Sequence, residues 1–428
     1  MVNLKVRWKR LAGHLRGTLW FRPAAISLAT IAAVFLAMAA DQDGVPGLVP
    51  DVSVATVETL LKIMGASMLV IATFAVGAMV SSYASASTTA TPRSFSLVLS
   101  DDVSQNALSV FVGSFIFSIV GLIALLNGLY GKGGRFALLI LTVLVFAIVI
   151  STFVRWVDRI ARLGRLGTTI EKAEAAASKA FHERLRSPTL GGRPVRPDPD
   201  KSQPVYADSV GHVQQIDMAR LQKYAKEADI RFVVAALPGT FIVPGRPLAF
   251  MVDGPAGAAP VDRKKVAACF EIADARTFED DPRFGLVVLS EIAGRALSPA
   301  VNDPGTAISV INVFVRLFVL WNERIDEKEL KPLEHDRVEV PELGVQDMFD
   351  DAFVSIARDG ARMVEVGVRL QKALHALAKV GDKEMRSAAD RHARLAMARA
   401  EKALELPEDI EAVRDSGLLA GSGTASKA

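Results

Sequence analysis

The chain has 428 residues, half of them hydrophobic, with a mean hydropathy of +0.29 and 50 basic residues against 47 acidic. That length suits a membrane bundle plus one or two soluble units with their own cores, and a net charge of only +3 excludes wholesale nucleic-acid binding. The lone Cys269 rules out an intramolecular disulfide and a zinc site built from several cysteines, and it suits a soluble part in a reducing cytoplasm.

Four apolar runs fill the first third, roughly Pro23–Ala40, Met64–Ser82, Ala107–Leu126 and Phe136–Val154, each close to the ~20 residues that a helix needs to cross hydrocarbon. An integral protein of the lipid bilayer is expected. Lys5, Arg7, Lys9, Arg10, Arg16 and Arg22 precede the first run, and Arg155, Arg159, Arg162, Arg165 and Lys172 follow the fourth. The positive-inside rule puts both ends in the cytoplasm, with Asp41, Asp43, Asp51 and Glu58 in an outer loop. A competing reading makes Ala37-Met38-Ala39 a signal-peptidase site; the long basic region and the length of the run favour a span.

In the second run Thr73, Gly77, Ser81, Ser85 and Thr89 fall near one helix face, beside a second small row of Ala78, Ser82, Ala86 and Ala90. Close helix packing is the plain explanation, because small residues let backbones approach. The sharper reading is a hydroxyl row lining a water-filled path. Gly113, Ser114, Ser118 and Gly121 repeat the flavour in the third run, which is expected to face the second. No ionisable residue lies at mid-depth in any run, which disfavours proton-coupled transport. Four spans leave little room for an internal repeat, so a pore would need several subunits and a homo-oligomer is expected. Pro92 ends the second helix, and Asp101-Asp102 is read as a cap on the third.

From Arg155 to about Leu185, Ile160, Leu163, Leu166, Ile170, Ala173 and Ala177 recur at helical spacing, as in a stalk. Arg186 to Pro204 is rich in Pro and Gly and reads as a linker. Strands are expected at His212–Ile216, Ile230–Leu237, Phe241–Val243 and Leu248–Val252, with a short helix capped by Asp217 after the first. Helices follow at Phe284–Leu297, Thr306–Trp321, Val345–Val380 and Lys383–Leu404, the last two forming a hairpin around Gly381-Asp382. Thr306–Trp321 carries Ser309, Asn312 and Arg316 on one stripe and is short for a span, so it is read as a core or subunit-contact helix. The expected fold class is an α-helical membrane protein with a cytosolic α+β part. Its layout is a basic N-terminus (1–22), a four-span helical bundle (23–155), a stalk helix and linker (156–204), a small β-rich unit (205–260), a helical domain (261–405) and a disordered tail (406–428).

Arg276-Thr277-Phe278-Glu279-Asp280-Asp281-Pro282-Arg283-Phe284-Gly285-Leu286 leads into Arg295-Ala296-Leu297-Ser298-Pro299-Ala300-Val301-Asn302-Asp303-Pro304-Gly305-Thr306-Ala307. Supporting stretches run from Thr91-Pro92-Arg93 to Val112-Gly113-Ser114-Phe115, over Gly211-His212-Val213-Gln214-Gln215-Ile216-Asp217, and from Pro238-Gly239-Thr240 to Leu248. In this order they resemble the bacterial predicted-membrane-protein family catalogued as domain of unknown function twenty-two fifty-four, over about Phe21 to Leu404. The resemblance implies a bacterial cytoplasmic membrane, four N-terminal spans and a cytosolic domain, and transfers no catalytic residue. Gly305 stands where the family pattern has a larger residue, which is expected to loosen the helix start.

Read from the residues alone, Asn302 or Asp303 before Pro304 is a helix start in which a side-chain oxygen accepts free N–H groups. The alternative is an anion held at that helix end near Arg295, although Arg295 can equally pair with Glu291 one turn earlier. His14, His182, His212, His335, His375 and His392 are scattered without metal-ligand spacing, and no nucleophile elbow or phosphate-cradling loop is present. Asp280-Asp281 with Asp303 forms a weak divalent-ion candidate, since acids beside Pro usually make caps and turns. No cofactor, metal or catalysis is expected. Three classes remain: a homo-oligomeric channel-like protein with a cytosolic regulatory domain, a membrane-anchored sensor or scaffold whose terminal helices suit a protein partner, and, with least support, a surface enzyme.

Overall fold

Long apolar runs with few helix breakers form four helices, α1 (Phe21–Ala39), α2 (Val54–Thr89), α3 (Asp102–Leu126) and α4 (Lys132–Ile160). All four are long and apolar enough to cross a membrane. The computed structural model describes residues 21–39, 50–89, 91–94, 102–160, 166–196, 202–252 and 261–419. They divide into two units, Met1–Thr169 and Ile170–Ala428. The basic residues before Phe21, Asp41, Asp43, Asp101, Leu163 and the stretch 420–428 lie outside the described residues.

In the first unit α3 is central and packs on α1, α2 and α4. Its small residues make the contacts close. A Cβ on Gly113 would come within 2.6 Å of Ile26 Cγ2, and Gly65 faces Ser118 while Gly121 faces Leu61 and Leu138. The third helix thus meets the first as well as the second. Leu61, Met64, Met68, Phe111, Phe117, Leu138 and Trp156 fill the interior, with Trp156 set edge-on to Phe111 at 6.0 Å. Arg135 lies 3.8 Å from Asp51 and Tyr130 Oη donates to the Val34 carbonyl at 2.9 Å, which marks one end of the bundle. Arg22 donates to Asn106 at 2.9 Å at the other. Helix α2 begins well before the expected Met64, and Glu58 and Lys62, one turn apart in this added part, pair at 2.5 Å on its exposed side.

The second unit is built on two sheets. Among the described residues, β1 (Gly192–Pro194), β2 (Ser202–Tyr206), β4 (Arg231–Val234), β6 (Pro247–Val252) and β8 (His335–Val340) form a sheet in the order β1-β8-β4-β6-β2. β8 runs parallel to both of its neighbours, whereas β6 is antiparallel to β2 and β4. β3 (Gly211–Ile216), β5 (Phe241–Ile242) and β7 (Phe270–Ala273) form an antiparallel sheet with β3 in the middle. Helix α6 (Met218–Glu227) starts at Asp217, whose carboxylate accepts from Arg220 N at 3.1 Å, as its sequence indicates. Phe232, Val234, Leu221, Leu248, Phe270, Val338 and Val340 share one core.

Several expected boundaries move. The first of them concerns α5 (Leu166–Arg186), the described part of the expected stalk. It is a core element of the second unit: Ala173, Ala177 and Phe181 are buried, Phe181 meets the ring of Trp321 at 5.2 Å, and Ala177 sits where a Cβ on Gly285 would be, 2.5 Å away. The expected linker supplies β1 and the start of β2. Gly191, with φ +76, and Leu190, with φ +55, turn the chain, and Gly192 has no side chain to strike the Val338 carbonyl. No division falls at residue 260 either, since β7, β8 and the short helix α7 (Arg263–Ala267) come from beyond it and complete the sheets and their core.

The helices of the second unit are α8 (Pro282–Ala296), α9 (Pro304–Trp321), α10 (Val345–Asp359), α11 (Val364–Val380), α12 (Lys383–Ala403) and α13 (Pro407–Leu419). The expected single helix over Val345–Val380 breaks at Gly360, where a Cβ would lie 2.6 Å from Val366 Cγ1 and 2.9 Å from the Ile356 carbonyl. The expected disordered tail is helical as far as Leu419, with Val413 packed into the groove that Gly367 leaves open. Helix α9 is long and apolar enough to cross a membrane, yet Val310, Ile311, Phe314, Leu317 and Phe318 are buried, and Phe314 and Phe318 meet Phe353. Its polar stripe is tied down within the unit, Arg316 to Glu174 at 2.6 and 2.7 Å and Asn312 to Arg369 at 2.6 Å.

Glu339, 2% exposed in the central β8, accepts from Arg231 and lies 3.5 Å from Arg196. Replacing Glu339 with Ala leaves Arg231 without its carboxylate and is expected to cost about 3 kcal/mol, the lower end for a broken buried pair because Arg231 keeps some solvent. Chemical denaturation of the full-length protein in detergent measures it.

Candidate functional site

The small-residue row on α2 turns away from its own bundle. Met64, Met68, Ala72, Ala75 and Met79 are the buried stripe, whereas Thr73, Gly77 and Ser81 are exposed. A Cβ on Gly77 would meet nothing within 4 Å. Thr73 Oγ1 donates back to the Leu69 and Val70 carbonyls at 2.8 and 2.9 Å, which satisfies the hydroxyl without a neighbouring helix. Among the described residues, close helix packing does not account for Thr73, Gly77 and Ser81. Ser85 and Thr89 continue the helical backbone, and their side chains lie outside the described residues. The contacts of Gly65 with Ser118 and of Gly121 with Leu61 fix the antiparallel register of α2 and α3. Equal rise along both helices brings Ser81 level with the first turn of α3. The row lies toward the end marked by Arg22 and Asn106, not across the depth of the bundle.

At the second candidate, α9 starts where the residues indicate. Asp303 is the cap: it accepts from Thr306 N at 3.1 Å and Thr306 Oγ1 at 2.6 Å. These bonds, the Thr306 hydroxyl first, hold its carboxyl below the ordinary 3.8. Asn302 stands one residue earlier with φ +50, a left-handed conformation that Asn tolerates better than most. The Asp303 carboxylate thus sits where an anion at this helix end would bind, and the cap reading prevails. Gly305 follows directly on Pro304, the first residue of α9 after the Asp303 cap. Arg295 is exposed in the last turn of α8.

The segment Arg276–Arg283 carries ion pairs that sequence reading missed. Asp281 is 2% exposed and receives Arg276 Nε at 2.6 Å and Nη2 at 2.9 Å. Gly239, with φ +91, leaves the space that Asp281 needs, since a Cβ there would lie 2.3 Å from its Oδ2. Arg283 donates to Asp351 at 2.6 Å and Asp347 at 2.9 Å. Burial alone lowers Arg283, and these two carboxylates more than offset it, so its value rises. Asp281 is engaged by Arg276 and Asp303 by Thr306. Among the described residues no three His, Cys, Asp or Glu side chains gather as metal ligands. The signal was the cluster of Arg and acidic residues over 276–283, but where they pair depends on the turn at Gly239 and on Asp347 and Asp351 of α10.

The family described as Predicted membrane protein (DUF2254) matches residues 16–376. An uncharacterized protein of Mycobacterium tuberculosis (strain CDC 1551 / Oshkosh) is 32% identical over 117 residues, 27% of this chain and 22% of that protein. An uncharacterized protein of Mycobacterium bovis (strain ATCC BAA-935 / AF2122/97) matches to the same extent. The similarity thus spans about a fifth of the relatives' own length. No solved structure matches the chain.

Replacing Asp303 with Ala is expected to cost about 1 kcal/mol, with Asp303→Asn costing less, since Asn also caps. Because the folded value is lowered, the stabilisation by Asp303 is full at neutral pH and is lost as pH falls below 3.8 through the depressed value. Thermal melts of wild type and Asp303→Asn between pH 7 and pH 3 should converge at the acid end.

Proposed function

Since the chain belongs to the Predicted membrane protein (DUF2254) family, we propose that it is a multi-pass protein of the bacterial cytoplasmic membrane that self-associates through α2 and encloses a channel-like path between copies. One observation carries the reading: Thr73, Gly77 and Ser81 are exposed on an apolar helix, and a Cβ on Gly77 would meet nothing within 4 Å. Glycine and hydroxyl residues on such a face let a second helix approach closely or present polar groups to water at a pore mouth. Helices α1 to α4 form four spans with both termini and the second unit cytoplasmic, by the excess of Arg and Lys before α1 and after α4. Arg135, on the outer side in this topology, is neutralised by Asp51, which removes its weight from the count. The second unit acts as a regulatory domain, and no catalysis is assigned to the chain.

A second reading, a membrane-anchored sensor without transport, has support from the bundle interior. Leu61, Met64, Phe111, Phe117 and Leu138 fill it, so a single chain offers no aqueous route. The two readings separate in one experiment. Ser81→Cys in a Cys269→Ser background is expected to give cross-linked dimers in membranes, and the full-length protein in liposomes is expected to pass small ions. Gly77→Leu should abolish both. Cross-linking without flux of any ion tested decides for the sensor, and a Ser81→Cys protein that stays monomeric removes the proposed interface.

A further inference from the structure

A cavity of about 230 Å³ opens in the second unit between the C-terminal end of α5, the end of β3, and the segments around Asp280 and His335. Arg184 lies in its wall and is 4% exposed. Its Nη2 donates to the Asp280 carbonyl at 3.1 Å, while Nη1 is buried without a hydrogen-bond partner. His335 Nδ1, on the opposite segment, is buried and unpartnered too. A buried charged donor left unmade costs more than a neutral one, so this guanidinium is short of an acceptor. Burial pushes Arg184 down to about 10, lowers His335 so that its ring is neutral near pH 7, and raises Asp280.

The charges around the cavity identify the acceptor. Besides Arg184 the wall has one further permanent cation, Lys331, which Glu183 holds at 2.7 Å. Glu279, Asp280 and Glu334 add three more carboxylates. A bare anion would meet an excess of negative charge, and a simple cation would leave Arg184 Nη1 unmade. A molecule that carries both charges satisfies both walls. The volume is below the ~300–1,000 Å³ of pockets for drug-sized ligands and suits a small metabolite. We propose that this cavity is a binding site for a small zwitterion of the α-amino-acid class, its carboxylate toward the Arg184 guanidinium and its ammonium toward the Asp280 and Glu279 side.

The site is independent of the channel reading and is tested by binding, not flux. The full-length protein in detergent is titrated by calorimetry with each of the twenty standard amino acids, and with inorganic phosphate and acetate as anion probes. At least one amino acid is expected to bind, with its dissociation constant raised at least tenfold by Arg184→Met and binding abolished by Ser187→Tyr, which fills the mouth from the end of α5. Binding by none of the twenty overturns the proposal. Phosphate or acetate binding as tightly as the best amino acid also overturns it, in favour of a plain anion site. Where Arg184→Met does not fold, Ser187→Tyr decides: lost binding supports the site, and unchanged binding places the ligand elsewhere.

Discussion

Helices in a lipid bilayer gain no hydrophobic energy by leaving the lipid for one another, so their association rests on shape. In the first unit that constraint falls on α3. Gly113 admits Ile26, Gly121 admits Leu61 and Leu138, and Ser118 stands against Gly65, so one helix accepts three neighbours. Hydroxyls on this helix and on α4 fold back on their own backbones, Ser118 to Ser114 and Thr142 to Leu138, while Thr30 of α1 donates across to the Gly113 carbonyl at 3.2 Å. With the interior filled this way, Thr73, Gly77 and Ser81 of α2 lie on its outward face.

The second unit answers a different constraint, the pairing of buried backbone and charge in a mixed sheet. β8 joins strands more than a hundred residues away on both sides, and its Glu339 draws in Arg231 and Arg196 from β4 and the end of β1. Those pairs tie three segments of the chain into one sheet edge. The same need recurs at Arg276 with Asp281 and Arg283 with Asp351, each a charge removed from water and met by a partner at 2.6 Å. Arg184 is the departure from that pattern, a buried guanidinium half met by a carbonyl, and it faces a cavity.

The two units use their exposed chemistry in separate ways. Around Thr73, Gly77 and Ser81 the outward side of α2 is uncharged and also carries Val70, Phe74 and Val80. The cavity of the second unit is crowded with charge, suited to a small molecule with both signs.

Sequence determined what depends on neighbours in the chain. The apolar runs of α1 to α4, the strand-like runs of β3, β4 and β6, and the caps at Asp217 and Asp303 follow from local pattern and from side chains bonding three residues on. Tertiary structure decided what depends on distant partners. Residues around Ile170–Phe181 read as an exposed stalk and became core because Gly285 and Trp321 lie against them. His335–Val340 carries no strong strand pattern of its own, and pairing with β1 and β4 makes it one. The small row of α2 is visible in the sequence, yet only the register with α3 shows that it faces outward and lies at one end. Arg184 reads as one more surface cation, because whether a charge is solvated, paired or left waiting is set by residues that approach it only in the folded chain.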